Sequence, residues 1–436
     1  MAGARKRARS LVSKQKPKPT VEIVSDEDSS LVESELDEEV AMSDNDDDGQ
    51  KSDTSEEETA DEKRVRLAKQ YLNRVEHLNQ KDSDDEGSGD DVADRLQRHL
   101  VDAVRSAKGT LHRRIAASIG EINTTIYRGH KHSATSVSLN ADDTRAVSCS
   151  KDGSWILWDI STGRKLSITQ DDDELLASCF CSADGNMIAT GGRDKIVRLW
   201  DSRTPQKATQ KFVHHRDAVT SLAWRRNSPQ LFSGSSDRTI KIWDIEAQAY
   251  VDTLFGHQSP VTSVASLNHD RVLSAGLDGT VRLFKIAEQT QLVYRNRASN
   301  IDGVAMLSES QFISGDQSGT IAVYRAMKKK PALSATEAHG QHWINAVHAC
   351  PFTDLAASGA SDGFLRLWQV SAEKIVQVAT AAVPGFINGI ALARTGKFAV
   401  CAVGQEPRLG RWSVEKAGRN GIHICRFQEN TDSDQQ

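Results

Sequence analysis

Four histidines stand at a nearly constant distance before four aspartates, and an imidazole beside a carboxylate can share a hydrogen bond or a proton. The pairs are His130 and Asp152, His215 and Asp237, His257 and Asp278, and His339 and Asp362, each aspartate following its histidine by 21 to 23 residues. Because this spacing occurs four times in one chain, the pairs indicate a repeated structural unit.

Catalytic motifs do not accompany these pairs. Residues 389–397 end in Gly396 and Lys397, but their glycine spacing does not fit a phosphate-binding loop, and Phe398 stands where that loop needs Ser or Thr. The metal-binding pattern H-E-x-x-H is missing from the sequence. The sequence therefore predicts a binding protein and not an enzyme, with no metal site, no cofactor and no small-molecule substrate.

The histidine–aspartate pairs lie inside a larger repeat of an apolar strand, a tight turn, a short strand and an aromatic residue. The turn residue and the aromatic are six positions apart in Asp152/Trp158, Asp194/Trp200, Asp237/Trp243, Asp278/Phe284, Ser318/Tyr324, Asp362/Trp368 and Glu406/Trp412. Successive pairs are 40 to 44 residues apart, and the first three aromatics are followed by Asp. This pattern resembles the WD40 repeat, in which each copy is one four-stranded blade.

The resemblance to WD40 repeats implies an all-β fold, a seven-bladed β-propeller, in which each His hydrogen-bonds the turn Asp of its own blade as a structural tie. A ring of blades leaves no free sheet edge only when it closes. The last copy ends in the alternating run 421–425, and residues 121–127 precede the first copy. We therefore expect residues 121–127 to form the strand that completes the last blade.

The chain before the repeats is segregated by charge. Residues 5–18 contain seven Lys or Arg and no acid, whereas residues 26–62 contain 18 Asp or Glu and one Lys. Segments this polar cannot bury a core, so residues 1–58 are expected to be a disordered basic-then-acidic tail, and residues 429–436 a second disordered tail. The basic cluster at residues 4–9 is typical of a nuclear import signal.

Two amphipathic helices are predicted in a helical extension at residues 59–109, ahead of a propeller at residues 110–428. Thr59 and Glu62 form a capping box for the first helix. That helix carries the candidate partner-docking residues Lys63, Arg64, Arg66, Leu67, Lys69, Tyr71 and Leu72. The helices could dock onto other molecules or pack on the propeller's own rim, and the sequence leaves both interpretations open.

Composition argues against membrane insertion and secretion. The basic start is not followed by an apolar segment, and no stretch approaches the roughly 18 apolar residues of a membrane span. The six cysteines form no C-x-x-C pair, which favours buried, reduced thiols over zinc ligands or disulfides. We expect no membrane partner.

Several segments resemble one particular family, the WD-repeat proteins of the U3 small nucleolar ribonucleoprotein. They are ETADEKRVRLAKQYL at residues 58–72, YVDTLFGH at 250–257, GFIN at 385–388 and VGQEPRLGRW at 403–412. The resemblance implies a non-catalytic subunit in the nucleus and nucleolus that binds U3 small nucleolar RNA. Its implied partners are the kink-turn-binding box C/D core protein and other small-subunit processome proteins, and its implied role is small-subunit rRNA processing in ribosome biogenesis.

Candidate RNA contacts follow from the loops that the WD40 resemblance places on one face. RNA duplexes are recognised largely through phosphates and shape, which requires Lys and Arg with a few stacking aromatics. The candidates on the common rim are Lys131, Lys151, Arg193 and Arg216, with Trp343 nearby. Arg408 and Arg411 are added from the last copy, which carries the family-like segment 403–412.

Two alternative functions remain open. Trp200-Asp201-Ser202-Arg203 matches a pattern found in the substrate receptors of cullin-RING ubiquitin ligases. A nuclear signal followed by an acidic segment is also compatible with a histone reader. Dependence of adaptor binding on Arg203 would favour the first alternative, and histone-peptide binding without RNA would favour the second.

Overall fold

The structure is a computed structural model that describes residues 113–171, 173–182, 184–295 and 300–429. It contains seven four-stranded antiparallel sheets. The predicted tail at residues 1–58, the helical extension at 59–109 with its partner-docking candidates, and residues 430–436 lie outside the described residues. The domain boundaries in those segments therefore stay predictions.

The strands are numbered in chain order, and each sheet forms one blade. Blade 1 holds β2 (Ala134–Leu139), β3 (Arg145–Ser150), β4 (Ser154–Asp159) and β5 (Lys165–Gln170). Blade 2 holds β6 (Leu175–Phe180), β7 (Met187–Gly192), β8 (Val197–Asp201) and β9 (Gln210–Phe212). Blade 3 holds β10 (Val219–Trp224), β11 (Gln230–Ser235), β12 (Ile240–Asp244) and β13 (Ala249–Leu254). Blade 4 holds β14 (Val261–Ser266), β15 (Arg271–Gly276), β16 (Thr280–Lys285) and β17 (Thr290–Arg295).

The remaining blades follow the same order until the last. Blade 5 holds β18 (Ile301–Met306), β19 (Gln311–Asp316), β20 (Ile321–Arg325) and β21 (Lys328–Ala335). Blade 6 holds β23 (Ile344–Ala349), β24 (Leu355–Ala360), β25 (Phe364–Val370) and β26 (Ile375–Ala382). Blade 7 holds β27 (Phe386–Leu392), β28 (Phe398–Gly404), β29 (Gly421–Glu429) and β1 (Ile119–Arg128). Strand β22 (Ala338–Gln341) and a 3-10 turn at Ala116–Ser118 lie outside these sheets.

The first strand of each blade lines a central channel. These inner strands contact one another in the cyclic order β2, β6, β10, β14, β18, β23 and β27, with β27 returning to β2. Each inner strand is buried at half or more of its positions, and β18 along its whole length, because both faces of each sheet pack against neighbouring blades. The prediction of a seven-bladed all-β propeller is confirmed.

The blade that closes the ring combines the two ends of the described chain. Strand β1 pairs antiparallel with β29, placing Thr124 opposite Cys425 and Tyr127 opposite Ile422. The expected closing strand at residues 121–127 is therefore confirmed and is longer than expected at both ends. Ile119 is buried, and Tyr127 packs against the cluster shared by blades 7 and 1.

In blades 1, 2, 3 and 6, a hydroxyl group on the second strand accepts a hydrogen bond from the indole N–H of a tryptophan on the third strand. Trp158 donates to Ser148, Trp200 to Thr190, Trp243 to Ser233 and Trp368 to Ser358, each at 2.8 Å. Tryptophan can be buried in this position because its only polar atom is satisfied.

The seventh aromatic is an exception, and the pairing of Glu406 with Trp412 as a blade hairpin is wrong. In blade 1, Trp158 on the third strand lies opposite Ala146 on the second strand. The equivalent second-strand residue of blade 7 is Ala399, and the residue opposite it is Cys425. Trp412 lies instead in the long loop at residues 405–420 between β28 and β29, and its side chain is 60% exposed. Trp412 has the expected six-residue offset from Glu406, but it does not lie in a strand.

Other compositional features can be read directly from the described residues. All six cysteines are free thiols, five of them buried and Cys179 half-buried. No group of three or more His, Cys, Asp or Glu side chains among these residues is arranged to hold a metal ion. Within the same part of the chain, no helix has the length and apolar character needed to cross a membrane.

Candidate nucleic-acid interface

The predicted histidine–aspartate ties are present in blades 3, 4 and 6. His215 Nδ1 lies 2.8 Å from Asp237 Oδ2, His257 Nδ1 lies 3.1 Å from Asp278 Oδ2, and His339 Nδ1 lies 2.9 Å from Asp362 Oδ2. In each blade the other ring nitrogen lies 2.7 Å from the serine hydroxyl of the second strand. The imidazole is thus held at both nitrogens, which fits a structural tie.

Blade 1 departs from this arrangement, and the direct tie predicted between His130 and Asp152 is corrected. His130 Nδ1 lies 2.8 Å from the hydroxyl of Ser154 and 3.9 Å from the carboxylate of Asp152. Ser154 bonds Asp152 in turn, so the serine bridges the two groups. Burial lowers the pKa of His130 to about 4, which keeps its ring neutral at physiological pH.

These ties place two kinds of loop on one face of the ring, which we call the upper face. The loop before each inner strand supplies the histidine, and the turn after the second strand supplies the aspartate. The residue after the histidine also donates its backbone N–H to the same carboxylate, as Lys131 does to Asp152 at 2.7 Å and Arg216 to Asp237 at 3.0 Å. The side chains of Lys131 and Arg216 are therefore presented on the upper face.

Replacing His215 with alanine is expected to lower the free energy of unfolding by about 1–3 kcal/mol, because Asp237 and Ser233 both lose a buried partner. Burial opposes ionisation of Asp237, but its bonds from His215, Thr239 and a backbone N–H hold its pKa well below the usual range. Stabilisation from such a group is present above the unfolded pKa of about 4 and is lost below it.

Urea unfolding followed by tryptophan fluorescence measures this difference, which should shrink as the pH falls below about 4. The control is His132→Ala, since His132 is an exposed histidine of the same kind of loop. A His215→Ala protein as stable as the control at neutral pH would contradict the tie.

Lys151 does not present its charge to a ligand, and its prediction as an RNA contact is corrected. The residue is 5% exposed, and its Nζ lies 3.3 Å from Glu406 Oε2 and 2.6 Å from the carbonyl oxygen of Gly410. Burial lowers the pKa of Lys151, and the bond to Glu406 opposes this shift. Lys151 anchors the 405–420 loop to blade 1.

Arg193 and Arg411 extend this anchor into an ion-pair network. Arg193 Nε lies 3.0 Å from Glu174 Oε2, and Arg411 Nη2 lies 3.0 Å from Glu174 Oε1. Arg411 Nε also lies 3.5 Å from Glu406 Oε2. The two arginines remain about half exposed, so their role as RNA contacts stays a prediction, with part of their charge already neutralised.

Arg408 faces the channel and not the outer rim. Its Nη2 donates to the carbonyl oxygen of Thr262 in blade 4 at 2.9 Å. Burial lowers the pKa of Arg408, and the nearby carboxylate of Asp302 offsets part of that effect. The 405–420 loop therefore reaches from blade 7 across the upper mouth of the channel. The role of Arg408 as an RNA contact stays a prediction, and its side chain is already used within the protein.

Trp343 lies beside Trp412, with ring centroids 5.8 Å apart and an interplanar angle of 55°. Both indoles border a cavity of about 340 Å³ that also contacts Leu277, Leu409 and Asp302. Trp343 is 39% exposed. The structure thus brings Trp343 to the upper face as predicted, but pairs it with a loop that the sequence did not place there.

Lys131 and Arg216 are the two cations of the predicted set whose charged ends form no hydrogen bond or ion pair within the described residues. Sequence reasoning missed a group beside Arg216: His214, Arg238, Lys241 and Phe255 border the same depression on blade 3, and Tyr250 stacks on His214. One signal could have found it, since Arg238 follows the turn Asp where blades 1 and 4 have Gly153 and Gly279.

A closed ring of seven blades, three of them with a direct histidine–aspartate tie and four with a hydroxyl–indole bond, defines a WD40 β-propeller. The family model described as "WD domain, G-beta repeat" matches residues 121–159, 167–201, 206–244, 248–285 and 332–369. The stretches without a match include most of blade 5 and most of blade 7, where the aromatic and the histidine depart from the pattern.

Similarity over most of the chain identifies a particular family among the WD40 proteins. An Arabidopsis thaliana protein named "U3 snoRNP-associated protein-like EMB2271" is 36% identical over 409 residues, covering 84% of this chain and 85% of that protein. The Homo sapiens protein "U3 small nucleolar RNA-interacting protein 2" is 34% identical over 395 residues, covering 84% and 82%. A solved structure described as "Structure of U3-55K" aligns with a TM-score of 0.68 and 36% identity, covering 70% of this chain and 98% of that chain. The chain belongs to the family of U3 snoRNP-associated WD-repeat proteins.

Proposed function

We propose that this protein is a non-catalytic subunit of the U3 small nucleolar ribonucleoprotein that binds U3 RNA in the nucleolus. In this role it acts in small-subunit rRNA processing, beside the kink-turn-binding box C/D core protein and other processome proteins. The observation that carries the proposal is the similarity over more than four fifths of the chain to proteins named for U3.

The upper face supports RNA binding over catalysis. The four histidines of the repeat are fixed by serine and aspartate partners, so their imidazoles are occupied by structural bonds. Lys131 and Arg216 are exposed on the same face and keep their charges for phosphate groups. A rigid ring that displays cations on loops is suited to positioning RNA in an assembly.

Immunoprecipitation of the tagged full-length protein from nuclear extract, followed by sequencing of the bound RNA, tests the proposal. U3 should be enriched over other nucleolar RNAs, and the yield should fall as the salt concentration rises, since phosphate contacts release counterions. Deleting residues 59–78 should reduce association with processome proteins. If the wild-type protein shows no U3 enrichment, the proposal is wrong, and histone-peptide or ligase-adaptor binding becomes the better interpretation.

A further inference from the structure

A depression on the upper edge of blade 3 combines basic and aromatic side chains. We call it the blade-3 groove and define it by His214, Arg216, Arg238, Lys241, Tyr250 and Phe255. Its cavity measures about 400 Å³. The loop before β10, the turn before β12 and the end of β13 each contribute to it, so the fold brings three separate segments together.

The cations of the groove are available to a ligand. The side chains of Arg216 and Arg238 are exposed and have no ion-pair partner in the described part of the chain. Lys241 Nζ lies 2.8 Å from the Thr253 hydroxyl and 5.2 Å from the centre of the Tyr250 ring, contacts that leave its charge uncompensated.

The carboxylate at the base of the groove is already saturated. Asp237 accepts bonds from His215, from the backbone N–H of Arg216 and from the backbone and hydroxyl of Thr239. These bonds hold it within the blade. Asp237 keeps its negative charge, but Arg216, Arg238 and Lys241 outnumber it three to one among the lining residues, so the groove attracts anions.

Aromatic surface lies beside these charges. The Phe255 side chain is 69% exposed, although a phenyl ring is usually buried. His214 stacks on Tyr250 with centroids 5.1 Å apart and an interplanar angle of 9°, and both rings pack on Trp243. This packing fixes one wall of the groove, while Phe255 projects as a free ring.

Backbone conformation indicates that the cation at Arg238 is retained at a cost. Arg238 has φ of 69°, as does Lys195 at the same place in blade 2, whereas blades 1 and 4 have Gly153 and Gly279 there with φ of 77° and 67°. Glycine adopts this left-handed conformation without strain, whereas a side chain is disfavoured there. Blades 2 and 3 therefore keep a cation where glycine would be unstrained, and Arg238 is the one of the two that borders the blade-3 groove.

We propose that the blade-3 groove binds an unpaired stretch of RNA, with Arg216, Arg238 and Lys241 on the phosphates and one base stacked on Phe255. This inference rests on the proposed function. Cations alone would suit any polyanion, but an exposed phenyl ring beside them favours an unstacked nucleobase. A duplex keeps its bases stacked and would leave Phe255 unused.

The test measures binding of the full-length protein to a fluorescent single-stranded oligouridine and to an RNA duplex of the same length. The variants are Arg216→Gln with Arg238→Gly, and Phe255→Ser; the control is Lys328→Gln with Lys329→Gln, exposed cations on the outer strand of blade 5. Arg238→Gly relieves backbone strain, so the unfolding temperature of a protein carrying that change alone should be no lower than that of the wild type.

We expect Phe255→Ser to weaken oligouridine binding at least about fivefold, since base stacking on an aromatic ring is worth about 1–3 kcal/mol. Duplex binding should be unchanged in that variant. The arginine variant should weaken binding of both RNAs and flatten the salt dependence, while the control should bind like the wild type.

Two results would overturn the proposal that the blade-3 groove binds unpaired RNA. One is oligouridine binding by both groove variants at the strength of the control. The other is an effective polyglutamate competitor together with no effect of Phe255→Ser, which would assign the groove to an acidic peptide. If the groove variants enrich U3 from extract as strongly as the wild-type protein does, the groove proposal is wrong but the proposed function stands. Absence of U3 enrichment in the wild type contradicts the proposed function instead.

Discussion

A full-length protein in which residues 119–128 are replaced by a glycine–serine linker of equal length is expected to lose its cooperative fold. Strand β29 would keep one neighbour and expose a row of unpaired backbone groups, since β1 is its outer partner. Ile119, Ile122 and Tyr127 would also leave the cores of blades 6, 7 and 1. Ile119 is buried and the other two are partly buried. Full burial of one such side chain contributes about 1.5–3 kcal/mol, against a total stability of about 5–15 kcal/mol.

Circular dichroism during heating and gel filtration measure this outcome, with loss of the unfolding transition and aggregation through the open edge expected. The control is Glu121→Gln with Arg128→Gln, which changes exposed positions of β1 and leaves its pairing intact. Adding a synthetic peptide of residues 113–128 should restore part of the lost stability. A linker variant that unfolds cooperatively at the wild-type temperature would show that the ring does not depend on this closure.

The number of blades could be predicted from the sequence because the signals that fix it are local. A turn residue, a short strand and an aromatic occur within about ten residues, as in the stretch from Asp237 to Trp243. Closure was predictable for a related reason, because the alternating run at 421–425 needed a partner and residues 121–127 were not used by any repeat.

Blade 7 shows where a local signal misleads. Glu406 and Trp412 have the expected offset, but residues 405–420 form a loop that is held by contacts to blades 1, 2 and 4. The strand position of the aromatic belongs to Cys425, which carries no sequence signal for that role. A pattern within one blade cannot reveal a loop whose stability depends on other blades.

Charge environments were the least predictable part of the site, because ion pairs join residues far apart in sequence. Lys151 and Arg193 were correctly placed at turns after the second strand of their blades. Glu406, which neutralises Lys151, is 255 residues away along the chain. Conversely, Arg238 was detectable, since four other copies have glycine after the turn residue, at Gly153, Gly279, Gly319 and Gly363.

Lys151→Glu is expected to cause the largest loss of stability among single substitutions of the predicted RNA contacts. The new carboxylate would lie against Glu406 in a site where the present side chain is only 2% exposed. Removing one partner of a buried pair costs about 3–5 kcal/mol, and a like charge adds repulsion. Because Lys151 also bonds Gly410, the 405–420 loop should detach from blade 1.

Two readouts separate loop release from a general loss of folding. Trypsin should cleave after Arg411 faster in Lys151→Glu than in the wild type at a temperature where both are folded, and the urea midpoint should fall. Lys131→Glu is the matched control, because it reverses an exposed charge on the same face and should leave both readouts unchanged. If Lys151→Glu resists trypsin and urea like the wild type, the anchor is not needed for the loop. Because Lys151→Glu releases the loop, reduced RNA binding by this variant does not identify Lys151 as an RNA contact. Reduced RNA binding by Lys131→Glu, with trypsin cleavage and the urea midpoint unchanged, supports a contact at Lys131.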